Sequence, residues 1–154
     1  LKQSAPARVV VVSSRNHLHC RGIDFDAVTR PTATKVGLHE YGVSKLANVL
    51  FAKELARRLE GTGVTTYALN PGRVASDVWR RIPAPFRWLM KRAMLTNEEG
   101  ARTSVYCATE PRLADESGGY YQDCAVSPHN PLADDEALAR ELWERSEAWV
   151  KAYL

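Results

Sequence analysis

The 154-residue chain has the length of one domain, and its 45% hydrophobic and 25% charged residues lie in the ordinary globular range. The formal net charge of +3 is small, and without a long run of like charges it gives no reason to expect a nucleic-acid partner. Three widely spaced cysteines favour reduced thiols in a reducing compartment, and no stretch approaches the ~20 apolar residues of a membrane-spanning helix.

The first predicted element is a strand at Arg8–Val12, with the sequence "RVVVV". A continuous β-branched run without alternation is typical of a strand buried on both faces of a parallel sheet. The chain has no initiator methionine and reaches this run by residue 9, so we expect the sequence to begin inside a domain. Residues 15–40 are polar and interrupted by glycines and a proline, which predicts mainly loop.

A helix over about 40–60 follows, with Gly61 as its stop signal, and then a strand from Val64 that ends at Pro71 and Gly72. Strand, long helix and strand form a βαβ unit. The remainder predicts a helix over 97–109, a single strand over 118–126 and a terminal helix over 134–154 with a buried stripe of Leu138, Leu142, Trp149 and Tyr153. The predicted class is α/β.

Tyr41 and Lys45 lie one turn apart near the start of the long helix. On a helical projection of about 100° per residue, Lys45 and Asn48 fall within about 40° of Tyr41. The charged residues Lys53, Arg57 and Glu60 cluster about 100° to 160° away, and that arc is the expected solvent face. Tyr41 and Lys45 therefore form a separate polar stripe rather than part of the solvated face.

A tyrosine and a lysine at this spacing can perform acid–base chemistry. An ammonium one turn away stabilises the phenolate relative to the phenol. Such a pair can move a proton to or from an alcohol oxygen near neutral pH while another group accepts the hydride.

Two further polar features follow predicted parallel strands. Ser13 and Ser14 end the first strand, and "NPGRVASDV" (70–78) ends the second. Because the carboxyl ends of parallel strands border the ligand crevice, both features are expected at one edge of the sheet. A serine there can donate a hydrogen bond to a substrate oxygen, although it can equally satisfy a local turn.

An apolar strand ending in Ser-Ser, then Tyr-x-x-x-Lys at a helix start, then strand-Asn-Pro-Gly resembles the short-chain dehydrogenase/reductase family. The stretches "YGVSKLANVLFAKELARRL", "GTGVTTYALNPGRVASDV" and "GGYYQDC" resemble its retinol dehydrogenase subgroup. The resemblance extends from Arg8 to about Trp149. It implies the C-terminal half of a Rossmann-like, doubly wound parallel sheet, with residues 1–154 as the catalytic half of the domain.

The resemblance also implies roles for individual residues. Ser14 would steady the substrate oxygen, Tyr41 would be the acid–base, and Lys45 would support Tyr41 and hold the nicotinamide ribose. Four residues would line the nicotinamide: Pro71, Gly72, Val74 and Ser76, the last standing where many members have threonine. The implied cofactor is NADP, or NAD, and the implied substrate is a lipophilic alcohol or carbonyl such as retinol or retinal.

The family's Gly-rich pyrophosphate turn and its first strands are absent from the sequence, since the only double glycine, Gly118-Gly119, precedes a late strand. A half-sheet of this kind is expected to leave a long open edge, and the chain alone is expected to be inactive. Two alternatives stay open. One is a non-catalytic binding module that kept the fold, and the other is an epimerase that uses the same Tyr-Lys pair on a sugar nucleotide.

Two remaining segments have competing interpretations. "NHLHC" (16–20) contains metal-ligand residue types without a second cluster, so loop residues are expected rather than a metal site. The basic, aromatic segment 79–95 suits a cover over the substrate pocket, a membrane contact, or plain packing. Oligomeric state and localisation are not specified by the sequence, although the subgroup implies an endoplasmic reticulum membrane, facing the cytosol.

Overall fold

The structure is a computed structural model that describes residues 1–32, 37–75, 88 and 94–153. Over those residues the strands are β1 (Ala7–Val12), β2 (Val64–Asn70), β3 (Gly119–Gln122) and β4 (Ala125–Val126). The helices are α1 (Phe25–Val28), α2 (Leu38–Arg58), α3 (Asn97–Thr109) and α4 (Glu136–Val150). Short 3-10 turns connect them at Lys2–Ser4, Arg15–His19, Pro111–Leu113, Pro131–Asp134 and Lys151–Tyr153.

The four strands form one sheet in the order β1-β2-β3-β4. The pairs β1–β2 and β2–β3 are parallel, with Val10 opposite Tyr67 and Ala68 opposite Tyr120. Between β1 and β2 the chain crosses over through α2, as the βαβ prediction requires. The single strand predicted over 118–126 is wrong, because β4 folds back antiparallel to β3. Asp123 and Cys124 both have positive φ (51° and 58°), which is the backbone of a two-residue hairpin turn with matching twist.

Helices cover both faces of the sheet, so the predicted doubly wound α/β class is confirmed. On one face, α2 and α4 pack on Ala68 and Tyr120 through Leu46, Val49, Leu50 and Leu142. On the opposite face, Tyr106 and Cys107 of α3 pack with Tyr67, Leu69 and Tyr121. Alternate strand residues therefore serve the two layers, as the period of two along a strand requires.

Among the described strands β1 lies at one edge of the sheet, and its side chains are only half-buried or exposed, which corrects the prediction that it is buried on both faces. Ala7 to Val11 are half-buried and Val12 is exposed, whereas β2 is buried at six of seven positions. The amides of Ala7 and Ser13 donate to carbonyls of the β2 side, so the backbone groups of the even-numbered residues face the outer edge. Within the described part of the chain, no strand pairs with that outer edge.

Over its described residues, the region predicted as loop between 15 and 40 contains two short helical elements and the start of α2. Ser14 and Asp24 act as N-caps of the Arg15–His19 turn and of α1, and each cap accepts backbone N–H groups that the helix leaves unpaired. α2 begins at Leu38 after Gly37, which has φ of 67°. Polar composition indicated loop here because short capped turns carry little hydrophobic periodicity.

The terminal helix is shorter than predicted, and only the first half of its apolar stripe is buried. It begins after Asp135, whose carboxylate accepts the amide of Leu138. Leu142 is buried and Leu138 packs against the core. Trp149 is 36% exposed and Tyr153 87% exposed, so their predicted burial is wrong. These residues lie at and beyond the end of the helix, outside the core that α2 and α4 share.

The expected solvent face of α2 is only partly solvent-exposed. The Lys53 ammonium contacts the Asp134 carboxylate at 2.6 Å, and its side chain is 16% exposed. The neighbouring Glu54 is buried and accepts hydrogen bonds from Arg57 (2.8 and 3.0 Å) and Arg58 (2.7 Å). Projection angles place residues around a helix, but they do not show that α4 and the turn before it cover part of this face.

Glu54 predicts an acid dependence of stability. Desolvation raises its pKa, but the hydrogen bonds and charges of Arg57 and Arg58 outweigh that effect and the pKa is lowered. A carboxyl with a lowered folded-state pKa adds stability above its unfolded pKa, and this stability disappears as the pH falls through the folded value. Glu54→Gln should therefore cost about 1 kcal/mol at pH 7 and flatten the decline in unfolding free energy below about pH 5.

Urea unfolding of wild type and Glu54→Gln at several pH values measures this difference. Glu60→Gln, at an exposed position just after the same helix, is the matched control and should leave the curve as in wild type. Equal acid sensitivity in wild type and Glu54→Gln would show that Glu54 contributes nothing to it.

Candidate active site at the carboxyl edge of the sheet

The end of β1 is fixed to α2 by three hydrogen bonds. The buried Ser13 hydroxyl donates to the backbone carbonyl of Lys45 at 2.7 Å. The Asn48 amide donates to the carbonyl of Val12 at 3.0 Å, and the Lys45 ammonium lies 3.4 Å from that same oxygen. Because Val12 faces the outer edge of the sheet, these two side chains satisfy a carbonyl that no strand of the described residues pairs with.

Tyr41 and Lys45 lie together on the exposed side of α2. The Lys45 ammonium is 5.5 Å from the centroid of the Tyr41 ring, within cation–π range. Tyr41 is 43% exposed, so its ring is open to a ligand from solvent. The projected polar stripe of Tyr41, Lys45 and Asn48 is therefore a spatial group at the end of β1.

Ser14 lies at the same edge of the sheet, one residue after Ser13. Its hydroxyl accepts the amide of Asn16 at 3.3 Å and caps the turn that follows. Its carbonyl accepts from the Nδ1 atom of His17 at 2.6 Å. Ser14 thus has the local capping role that a serine after a strand can have, and it is half-buried rather than enclosed.

A cleft of about 480 Å³ joins Ser14 to the end of β2. Its walls include Asn70 and Gly72 from the second strand and its turn, and Gln122 from β3, whose side chain accepts from Asn70 at 3.0 Å. The carboxyl ends of three adjacent parallel strands therefore contribute to one concave surface, as expected for an open α/β sheet. Tyr41 and Lys45 do not line this cleft.

The turn after β2 is held against the start of α3. Gly72 has φ of 82°, and a Cβ at this position would lie 2.7 Å from Leu95 Cδ1. Val74 forms a parallel bridge with Leu95. Pro71, Gly72 and Val74 are half-buried, and of these three residues Gly72 lines the cleft. The predicted contact Ser76 and most of the segment 79–95 lie outside the described residues.

One close packing contact connects the two groups of predicted site residues. A Cβ on Gly42, the neighbour of Tyr41, would lie 3.0 Å from Cys20 Sγ and 3.1 Å from the carbonyl oxygen of Asn16. The turn that carries Ser14 therefore packs directly on the first turns of α2. Ser14 thus lies near Gly72 along the cleft, and Tyr41 lies near Lys45 on α2. The two groups are connected by this turn and by the hydrogen bond from the Ser13 hydroxyl to the Lys45 carbonyl.

The residues present suit part of a nicotinamide site. Gly72 has a positive φ of 82° and no Cβ, so the backbone there can lie close beside a planar ring. Lys45 supplies a cation for hydroxyl or phosphate oxygens at the outer edge of β1. A pyrophosphate would need amide groups of a helix start or Gly-rich turn, and the sequence has no turn of that kind.

Sequence reasoning missed the roles of Asn48, His17 and Asn130. Asn48 was placed on the polar stripe but not on the Val12 carbonyl, and His17 was expected to be an ordinary loop residue. His17 is fully buried, and the buried Asn130 donates to its backbone carbonyl at 2.8 Å. No local pattern could have shown this, because the two residues are 113 positions apart.

Among the described residues, no three histidine, cysteine, aspartate or glutamate side chains are grouped to hold a metal ion. In the same part of the chain, none of the helices combines the length and hydrophobicity that crossing a bilayer requires.

No protein-family model matches this chain. It is 45% identical over 155 residues to dehydrogenase/reductase SDR family member 13 of Bos taurus, an alignment that covers 95% of this chain and 40% of that protein. It is 42% identical to retinol dehydrogenase 14 and 43% identical to retinol dehydrogenase 12, both of Homo sapiens, over 97% and 95% of this chain and 46% of each relative. The chain thus spans less than half the length of these relatives.

A crystal structure of an uncharacterized protein from Mycobacterium paratuberculosis superposes with a TM-score of 0.66 at 24% identity. The match covers 94% of this chain and 50% of that one. At this identity the likeness concerns the fold alone, and it supports the Rossmann-like α/β arrangement of the sheet and helices.

Proposed function

Because this chain belongs to the short-chain dehydrogenase/reductase family, we propose that it contributes the acid–base half of an oxidoreductase site. The proposed reaction passes a hydride between a nicotinamide cofactor, NADP or NAD, and a lipophilic alcohol or carbonyl. The names of its relatives suggest a substrate similar to retinol or retinal.

The observation that carries this proposal is the position of the Tyr41–Lys45 pair. Lys45 lies over the Tyr41 ring and beside the Val12 carbonyl at the carboxyl end of a parallel strand. The Lys45 ammonium thus contacts a backbone carbonyl 33 residues earlier in the chain as well as the tyrosine one turn away. This places the pair at the carboxyl edge of the sheet, the edge at which ligands of open α/β sheets bind.

Each residue has a separate task in the proposed site. Tyr41 moves the proton at its phenolic oxygen, to a carbonyl oxygen in reduction or from a hydroxyl in oxidation. Lys45 stabilises the phenolate electrostatically and offers N–H donors to ribose hydroxyls. The Ser14 hydroxyl donates a hydrogen bond to the substrate oxygen, which holds that oxygen near Tyr41.

The turn after β2 would hold the nicotinamide. Pro71, Gly72 and Val74 would lie against the ring, and Ser76 would add a hydroxyl. When bound, the cofactor supplies or accepts the hydride. The preference for NADP over NAD is inferred from the retinol dehydrogenase subgroup.

A substrate cover is the proposed role of residues 79–95, most of which lie outside the described part of the chain. A basic and aromatic segment beside a lipophilic pocket could also contact a membrane surface, such as the cytosolic face of the endoplasmic reticulum.

A non-catalytic binding module is the competing function. The observation that favours it is that Tyr41 and Lys45 do not line the cleft that contains Ser14 and Gly72. A module of this kind would keep the α/β fold and the Tyr41–Lys45 pair without binding a dinucleotide.

Cofactor binding separates the two functions. We expect the longest expressed reading frame that contains these residues to bind NADPH saturably, followed by nicotinamide fluorescence. Lys45→Met should weaken that binding about tenfold or more, because charge-assisted hydrogen bonds to the cofactor are lost. Lys53→Met, on the same helix but bonded to Asp134, is the matched control and should bind as wild type does.

Failure of that reading frame to bind NADPH or NADH would overturn the oxidoreductase proposal and favour the binding module. Equal weakening of NADPH binding by Lys45→Met and Lys53→Met would show that Lys45 has no specific role in cofactor binding. Tight binding by the 154 residues alone would show that the cofactor needs no further turn.

A further inference from the structure

His17 is a fully buried imidazole between the predicted substrate serine and the C-terminal part of the chain. Its Nδ1 atom is 2.6 Å from the carbonyl oxygen of Ser14, and its Nε2 atom is 3.2 Å from the backbone nitrogen of Asn130. The ring also contacts Tyr120 of β3, with centroids 4.7 Å apart. None of the proposed steps of catalysis uses this histidine.

The partners of His17 determine its protonation state. A backbone N–H only donates, so Nε2 must accept from Asn130. A carbonyl only accepts, so Nδ1 must carry a hydrogen and donate to Ser14. The neutral imidazole with its hydrogen on Nδ1 is the form that satisfies both contacts. Desolvation lowers the pKa of His17, more than the hydrogen bond to Ser14 raises it, and His129 lowers it further.

Asn130 completes the arrangement with its own side chain. Its amide nitrogen donates to the carbonyls of His17 at 2.8 Å and Cys20 at 2.9 Å, and its amide oxygen accepts the amide of Leu132 at 2.9 Å. Asn130 is 3% exposed, so each of these contacts would leave a buried polar group unsatisfied if it were lost. The turn from Ser14 to Cys20 is thus held by Asn130 in addition to its packing on Gly42.

We infer that His17 and Asn130 are a positioning pair, which sets the place of Ser14 at the carboxyl edge of the sheet relative to Tyr41. The inference rests on the role proposed above for Ser14. The neutral His17 imidazole holds the Ser14 carbonyl, Asn130 holds His17, and the packing of Asn16 and Cys20 on Gly42 relates the turn to the helix that carries Tyr41.

Ser14 has weaker local restraints besides the imidazole, since its carbonyl also accepts the backbone amide of His17, at the longer distance of 3.2 Å. Its hydroxyl accepts one long hydrogen bond of 3.3 Å, which leaves the oxygen available to a ligand but does not fix the backbone. The short contact to His17 fixes the backbone on which the hydroxyl stands. A displacement of a substrate-orienting group by about 1 Å can cost about 100-fold in rate.

Two substitutions separate the two hydrogen bonds of His17. In His17→Asn the amide nitrogen can take the place of Nδ1 and keep the bond to Ser14, but nothing reaches Asn130. In His17→Gln the amide oxygen can reach the place of Nε2 and accept from Asn130, but the bond to Ser14 is lost. Both variants are made in the longest expressed reading frame, alongside Ser14→Ala.

The first measurement is the ¹⁵N spectrum of the His17 imidazole, with the carbonyl ¹³C shift of Ser14. We expect a neutral ring with hydrogen on Nδ1 at pH 7, and a Ser14 shift that stays near wild type in His17→Asn and moves in His17→Gln. Hydrogen on Nε2, or equal Ser14 shifts in both variants, would overturn the inference. If either variant fails to fold, the tautomer of the wild-type imidazole still tests the inference, because hydrogen on Nε2 would exclude the bond from Nδ1 to Ser14.

The second measurement is steady-state reduction of a lipophilic aldehyde by NADPH. His17→Gln should lower kcat about 10- to 100-fold with KM for NADPH unchanged, whereas His17→Asn should keep most of kcat. Equal loss in both variants would show that His17 serves folding alone. Absence of turnover in wild type would remove the proposed function, while the imidazole and Ser14 spectra would still test the positioning of Ser14.

Discussion

Tyr41→Phe is expected to abolish almost all turnover and to leave cofactor binding nearly unchanged. The substitution removes only the phenolic oxygen, which is the proton donor or acceptor of the proposed reaction, and general acid–base groups contribute about 10²- to 10⁴-fold in rate. The phenylalanine ring keeps the face over which the Lys45 ammonium lies, 5.5 Å from the ring centroid in wild type. Lys45 should therefore stay at the Val12 carbonyl and still meet the cofactor.

The measurement is kcat for aldehyde reduction, with the NADPH dissociation constant measured in parallel by fluorescence. Tyr153→Phe, at a position that is 87% exposed near the end of the chain, is the matched control and should behave as wild type. A Tyr41→Phe enzyme that kept most of its turnover would show that another group moves the proton. Loss of NADPH binding together with turnover would instead assign Tyr41 to cofactor binding.

The parts of the fold that local patterns specify were predictable from the sequence. α2 and β2 were placed within a few residues, because the helical periodicity and the β-branched run ending in Pro71 are local signals. The parallel crossover between β1 and β2 followed from the order of these elements. The β3–β4 hairpin was not predictable, because Cys124 occupies the second position of the turn, where a two-residue hairpin with positive φ at both positions usually has glycine.

The candidate site divides in the same way. The spacing of Tyr41 and Lys45 predicted their proximity, and the strand ends predicted that Ser14 and Gly72 would share one edge of the sheet. The contacts that hold these residues in place were not predictable, since they join distant parts of the chain. His17 with Asn130 is such a contact, and a histidine in a polar stretch carries no sign that it will be fully buried.

Gly100→Ala is expected to destabilise the protein by about 2 kcal/mol, although helix propensity alone favours alanine by about 1 kcal/mol. Gly100 is buried in the first turns of α3, after the capping box of Thr96 and Glu99. A Cβ there would lie 2.3 Å from Val74 Cγ2, 3.1 Å from Cγ1 and 3.3 Å from Cβ. Because both methyl groups and the branch carbon are close, rotation of the valine side chain cannot clear the contact, and its backbone must shift.

The double-mutant cycle with Val74→Ala shows whether this contact is the cause. Removing both methyl groups leaves only the 3.3 Å approach to Cβ, so Gly100→Ala in the Val74→Ala background should be neutral or slightly stabilising. Urea unfolding of the four proteins gives the coupling free energy, expected at about 2 kcal/mol. Since Val74 is also a proposed neighbour of the nicotinamide, the Gly100→Ala variant, which displaces Val74, should weaken NADPH binding. Equal destabilisation in both backgrounds would place the cost in α3 itself rather than at the turn after β2.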